Sequence, residues 1–242
     1  MWSRIKSSFI GDIKIISHDN MLLARSLAPF ILIILLKFAF APLSGFIFSK
    51  TGLLIDNYYS FIALTFISLI SILPGVVSAS IVLDKRYLYK PANLEVTAAE
   101  IRKSILVRMI ISAFFSFILV MITILLAKPV RTEGWLRNLF AAFLLSTQSP
   151  FVFLFISGVR GNRNSGSAFS RLYWMFLIAA PLGLMLHHPW NYLAFYSPLY
   201  WIAWAWIVQS PLESLIYGSI GMILTSSAII LFFRHLLRKY SG

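Results

Sequence analysis

The sequence predicts an all-α integral membrane protein with an amphipathic N-terminal helix, six transmembrane helices, and re-entrant or interfacial helices before the last span. Hydrophobic residues make up 59% of the 242 residues and charged residues 12%, against about 45–50% and 25% in soluble domains. The apolar residues fall in blocks of about 20, the length that crosses a bilayer as a helix. Short stretches between these blocks hold most of the 21 Lys and Arg residues.

Residues 1–26 are expected to form an amphipathic helix at the membrane interface. Apolar side chains recur there at intervals of three or four residues, at Trp2, Ile5, Phe9, Ile13 and Ile16. Charged residues occupy other positions, which is the pattern of a helix that lies among lipid headgroups. A frayed tail is the alternative. Because several basic residues precede the first apolar block, we expect the segment to be retained rather than cleaved as a secretory signal.

Six apolar blocks predict the spans, at residues 27–48, 61–83, 105–127, 139–159, 170–186 and 212–233. An aromatic, uncharged block at 192–208 is a seventh candidate. If it crossed, Arg234, Arg238 and Lys239 would lie outside, against the bias of basic residues toward the cytoplasm. Segment 187–211 is therefore predicted to dip into the outer leaflet and return. Both termini are then cytoplasmic, in a multi-pass protein of the cell membrane, inner or plasma.

The whole chain, 1–242, is treated as a single transmembrane domain, and its motifs for chemistry are weak. Segment 161–168 has the spacing of a phosphate loop but lacks the required Lys. Adjacent His187 and His188 cannot both reach one metal ion from a regular helix. We therefore predict no catalytic residue and no metal site. The net charge of +13 is explained by cytoplasmic loops, so nucleic acid is not an expected partner.

Within the spans, one charge and two sets of small residues stand out. Lys37 lies inside the first predicted span, where it either snorkels toward the lipid headgroups or lines a cavity. Small residues that share one helix face predict close helix packing. On the last span and the third span they are Gly218, Gly221, Thr225, Ala228, Ser112 and Ser116.

The cytoplasmic segment 84–104 is longer than a bare connection between two spans requires. Mixed charges begin it, and Thr97 with Glu100 forms a capping box from which a helix runs into the third span. The extra length predicts a surface that contacts a partner protein. A solvated loop is the alternative.

In this segment the chain resembles the ABC-2 permease family, the membrane subunits of type 2 ATP-binding-cassette exporters. The similar motifs are Asp84-Lys85-Arg86, Leu94-Glu95-Val96-Thr97 and the run from Ile101 to Met109. The similar layout extends over nearly the whole chain. It comprises an amphipathic N-terminal helix, six spans, and short re-entrant helices before the last span.

The resemblance implies a permease that pairs with a second permease, as a homo- or heterodimer in the lipid bilayer, and with ABC ATPase subunits. ATP and Mg²⁺ would be bound by the ATPase, and this chain would bind no cofactor and would not be an enzyme. The residues implied to couple the spans to the ATPase are Asp84, Arg86, Leu94, Glu95, Thr97 and Glu100. An ion-coupled carrier or channel is the alternative, although the centres of the spans have no Asp, Glu or His. A membrane enzyme is disfavoured because no convergent catalytic set is evident.

Overall fold

The computed structural model describes residues 11, 15–52, 59–88, 98–127, 135–158 and 194–241. The helices with defined bounds in these ranges are α1 (Asn20–Ile34), a π-helical turn (Leu35–Ala39), α2 (Phe40–Thr51), α3 (Tyr59–Leu88), α4 (Ala98–Ala127), α5 (Trp135–Ser146), α6 (Gln148–Ser157), α7 (Pro198–Ile207) and α8 (Pro211–Ser241). Five stretches of the described chain are long and apolar enough to cross a membrane. They confirm the all-α membrane fold.

These five stretches correspond to the first, second, third, fourth and sixth predicted spans. The fifth predicted span, 170–186, lies outside the described residues, as do most of the predicted N-terminal interfacial helix and positions 187–193 of the predicted dip.

The first spanning helix begins earlier than the apolar block from which it was predicted. The carboxylate of Asp19 accepts hydrogen bonds from the backbone N–H groups of Met21, at 2.9 Å, and Leu22, at 3.2 Å. This N-cap satisfies two donors that a helix leaves open at its start. The helix therefore begins at Asn20 rather than at residue 27. Residues 20–26 are thus continuous with the apolar helix that follows.

Helix α3 is the central element of the bundle. Of the 18 consecutive residues that make up its most apolar stretch, 67% are buried within the chain. The corresponding share is 22% for the first spanning helix and 17% for α8. It packs on α1, α4 and α6. The contact with α6 is close at Gly75, where an added Cβ would lie 2.9 Å from the carbonyl carbon of Ser149. A glycine is therefore needed for the two backbones to approach this far.

The fourth predicted span is a broken helix. Helix α5 ends at Ser146 and α6 begins at Gln148, with Thr147 in a turn between them. Pro150 has no N–H to donate to the Ser146 carbonyl, so the regular ladder cannot continue across this point. The Thr147 hydroxyl donates to the Leu144 carbonyl at 2.6 Å. This bond satisfies an acceptor at the end of α5.

The aromatic segment before the last span forms a short helix that packs along α8 in the opposite direction. A Cβ added at Gly221 would meet the carbonyl of Pro198, at the start of α7. At the other end of α7, the Ser214 hydroxyl donates to the carbonyl of Ala205. A helix of 10 residues is about 15 Å long, half of the hydrocarbon core. The described part of the segment therefore returns toward the start of α8 instead of crossing.

Candidate functional site

The ends of α3 and α4 carry part of the predicted ATPase-coupling segment. Helix α3 continues past its apolar block to Leu88, and α4 is already helical at Ala98. Asp84 and Arg86 therefore lie on the last turns of α3, and Glu100 lies on the first turn of α4. Leu94, Glu95 and Thr97 are outside the described residues.

Two hydrogen bonds define how α3 and α4 pair. The Tyr59 hydroxyl donates to the carbonyl of Ala127, at 2.6 Å. The Ser116 hydroxyl donates to the carbonyl of Ser71, also at 2.6 Å. Both pairings belong to one antiparallel register. This register brings the end of α3 and the start of α4 side by side, at the end of the bundle where the coupling segment connects them.

Two predicted packing glycines lie where α8 contacts its neighbours. A Cβ added at Gly218 would come within 2.8 Å of the Phe140 ring on α5. One added at Gly221 would come within 2.9 Å of the Ile202 side chain on α7. Ala228, the fourth predicted position on this face, is only partly buried. The glycines let α8 approach both helices without displacing these large apolar side chains.

A buried polar layer links four helices near the middle of the bundle. It consists of six residues that are each exposed by 1% or less: Ser71, Ser112, Ser116, Gln148, Ser149 and Thr225. The Gln148 amide donates to the Thr225 hydroxyl at 3.0 Å, and the Ser149 hydroxyl donates to the Ser112 carbonyl at 3.1 Å. Because these groups bond to one another and none of them titrates near neutral pH, the layer holds helices together and offers no acid or base.

The sequence pattern included three of the six members of this layer, Ser112, Ser116 and Thr225, and omitted the other three, which are Ser71, Gln148 and Ser149. A signal for Gln148 and Ser149 was present, since Gln148-Ser149-Pro150 is a polar run ending in proline inside an apolar block. Such a run marks a helix break that neighbouring helices must satisfy.

Lys37 lies in the π-helical turn and is exposed on the surface of the described bundle. Its Nζ atom is 5.3 Å from the centroid of the adjacent Phe38 ring. That ring is itself 66% exposed. Within the described part of the chain Lys37 therefore lies on an outer face, and both interpretations from the sequence, snorkelling and lining a cavity, stay predictions.

A groove of about 270 Å³ opens between α1, α3 and α4. We call it the arginine groove, after Arg25 and Arg108, which line it. Its other lining residues include Ser78, Ser112, Phe30 and Phe115. The groove extends along the middle turns of the three helices, and Arg25 and Arg108 lie at its end nearer the coupling segment. Within the described ranges no three His, Cys, Asp or Glu residues come together as a metal site.

The chain matches one protein-family model over residues 12–233, described as fluoroquinolones export permease protein Rv2686c-like. The matched residues run from before α1 to the later turns of α8, and they include the coupling segment, the buried polar layer and the arginine groove. No curated protein and no solved structure matches the chain.

Proposed function

The chain belongs to the Rv2686c-like family of export permeases, and from this premise we propose that it is the ABC-2 type permease subunit of an ATP-binding-cassette exporter. The observation that carries the proposal is the family match over residues 12–233, on a chain whose described helices form a membrane bundle. ATP would be hydrolysed, with Mg²⁺, by a separate ATPase subunit.

The lack of an evident energy source in the chain supports a partner ATPase. Segment 161–168 lacks the lysine of a phosphate loop. Proton-coupled carriers need titrating groups within the membrane, whereas the buried polar layer of the described bundle consists of Ser, Thr and Gln. Energy for export is therefore expected to enter from outside this subunit.

The pairing of α3 with α4 supports a route from the ATPase to the spans. When the ATPase displaces segment 84–104, the displacement acts on the ends of two helices that lie side by side. Helix α3 transmits it through the tight backbone contact at Gly75 to the broken helix α6. Helix α6 carries Gln148, which is bonded to α8. One movement at the coupling segment would in this way reach four helices.

Two helices with large exposed apolar faces support a second permease. Only 22% of the apolar window of the first spanning helix and 17% of that of α8 are buried within the chain. Lipid can cover such faces, but one bundle of this size leaves little room for a substrate pathway of its own. We therefore place the pathway between this chain and a second permease, identical or homologous.

The family description names fluoroquinolones, so a fluoroquinolone is the first substrate to test. The chain is reconstituted in liposomes, alone or with an ATP-binding-cassette protein that co-purifies with it. ATP-dependent transport is expected only with the ATPase, and is lost when the ATPase carries a substitution in its own catalytic site. Transport by the chain alone, driven by a proton or sodium gradient, would instead establish the secondary carrier.

A further inference from the structure

The exposed side of α8 carries a repeat with a period of seven residues. Ile216, Ile223 and Ile230 follow one another at this interval, and their side chains are 50%, 65% and 51% exposed. Ser219 and Ser226 each come three residues after an isoleucine and are also exposed. We call this set of isoleucines and serines the heptad face of α8.

The heptad face lies on the side of α8 that points away from the rest of the described bundle. Gly218, Gly221 and Thr225 contact α5, α7 and α6. An α-helix turns by about 100° per residue, so Ile223 lies about 140° around the helix from Gly218. Only 17% of the most apolar stretch of α8 is buried within the chain. One side of α8 therefore belongs to the core, and the heptad face is left for a neighbour in the membrane.

A second helix accounts for the spacing of the heptad face better than lipid does. Two α-helices in a left-handed supercoil keep one side in contact when the contacting residues recur every seven residues. Serine lets two helix backbones approach closely and can hydrogen-bond across the contact, whereas lipid tails require neither a period nor a hydroxyl. From Ile216 to Ile230 the face extends along about 21 Å of helix, two-thirds of the hydrocarbon core. The repeat is therefore long enough to form a seam through most of the bilayer.

The heptad face is complementary to the same face on a second copy of this chain. Copies of one chain insert in the bilayer in the same orientation, because they share the distribution of basic residues that determines orientation. Two copies that pair through α8 are therefore parallel and are related by a two-fold axis along the membrane normal. Each residue then meets its own counterpart, isoleucine against isoleucine and serine against serine. Apolar groups and hydroxyl groups match in a single register.

We propose that the heptad face joins two copies of this chain as a parallel pair of α8 helices. The inference rests on the second permease of the proposed function, and it specifies that this partner is identical and which face it contacts. The pairing requires neither the ATPase nor the exported substrate.

The first test is disulfide cross-linking in membranes that contain the full chain without an ATPase. The chain has no cysteine, so Ser226→Cys and Ser227→Cys each introduce one thiol. The two serines are adjacent and both exposed, but only Ser226 lies on the heptad face. With copper phenanthroline as the oxidant, we expect a disulfide-linked dimer of Ser226→Cys, because a parallel pair brings matching positions within the reach of a disulfide. Ser219→Cys should behave in the same way, and Ser227→Cys should stay monomeric on denaturing gels.

The second test measures pairing without a covalent bond. Two full-length copies with different affinity tags are co-expressed, and capture of one tag in mild detergent should co-isolate the other. Ser219→Phe combined with Ser226→Phe places bulky rings where the two backbones must approach, so we expect most of the co-isolation to be lost. Ser227→Phe is the matched control and should pair like the wild type. All of these replacements are apolar, so membrane insertion is expected to be unaffected.

The outcomes separate this pairing from its alternatives and from the proposed function. Equal cross-linking at positions 226 and 227, or none at either, would overturn the heptad face as the contact between copies, and lipid or another protein would then cover it. Undiminished co-isolation of the double Phe variant would overturn it as well. ATP-dependent export without cross-linking at position 226 would contradict the pairing and leave the exporter standing. Cross-linking at position 226 in a chain that shows no ATP-dependent export would support the pairing and count against the exporter.

Discussion

Gly75 determines how closely the central helix α3 and the broken helix α6 approach. Its missing side chain leaves room for the carbonyl of Ser149, a backbone group that cannot move without shifting α6. We expect Gly75→Ala to lower the free energy of unfolding by about 1–3 kcal/mol, the cost of overpacking a tight contact. Gly45→Ala is the control, because a Cβ there meets nothing within 4 Å. Equal thermal midpoints for the two variants in detergent would contradict the close contact.

Thr225 tests what the buried polar layer contributes. Its hydroxyl accepts from the Gln148 amide and donates to the carbonyl of Gly221 on its own helix, at 2.8 Å. Thr225→Val removes the acceptor and leaves a buried amide without it, so we expect a loss of about 1–2 kcal/mol in thermal unfolding. Thr123→Val is the matched control, since Thr123 is also buried and donates to Leu119 on its own helix. A control variant that is destabilised equally would show that the cross-helix bond contributes nothing.

At the residue scale, the sequence predicted the small residues at helix contacts more readily than the polar residues that bond between helices. Gly218 and Gly221 were apparent because small residues repeated on one face of a membrane helix are typical of a close helix contact. Gln148 does not belong to such a repeat, and the polar run Gln148-Ser149-Pro150 indicates a helix break without indicating which residue bonds to the amide. Its role depends on Thr225, which is distant in sequence and meets it only after α6 and α8 pack.

At the element scale, hydropathy predicted the spans, but the helices of the structure begin or break at other residues than the apolar blocks do. An apolar window measures which residues can lie in lipid, and it ignores the hydrogen bonds that begin or interrupt a helix. Asp19 extends the first helix back to Asn20. Pro150 interrupts the fourth span, which the sequence predicted as one helix from 139 to 159. Both outcomes follow from local backbone donors and acceptors.

The course of α7 and α8 gives a topological prediction. Helix α7 runs back along α8, so the turn at 208–210 and the distal turns of α8 lie on opposite membrane sides, separated by about 36 Å of helix. Gln209 and His235 are both exposed, and the chain has no cysteine. In intact cells we expect Gln209→Cys to react with an impermeant thiol reagent, and His235→Cys to react only after permeabilisation. The reverse pattern would invert the predicted orientation of the last span.

At the scale of the whole molecule, the buried core around α3 contrasts with helix faces that the described part of the chain leaves exposed. Among the described residues the core lies around α3, and the all-α membrane class was predictable from composition and block length. The faces of α1 and α8 remain largely exposed. What covers them is not determined by the residues that form the core, so neither the substrate nor a partner subunit could be deduced from one sequence.

A substitution in the coupling segment tests most directly whether this chain contacts an ATPase. Segment 84–104 connects the neighbouring ends of α3 and α4, and Leu94 is the apolar residue that precedes the predicted cap at Thr97. An interface anchored by a buried apolar side chain is sensitive to an unpaired charge placed there. We expect Leu94→Asp to insert in the membrane normally while abolishing both co-purification of the ATPase and ATP-dependent export.

A matched substitution separates loss of contact from general damage. Leu212 is 68% exposed on the first turn of α8, at the opposite end of the bundle. An acidic residue near a helix N-terminus is well tolerated, so Leu212→Asp should retain ATPase binding and export. Should Leu94→Asp also export at the wild-type rate, segment 84–104 would be only a solvated connection. The ATPase would then have to bind elsewhere on the chain, and the route through α3 and Gly75 to the broken helix would have no input.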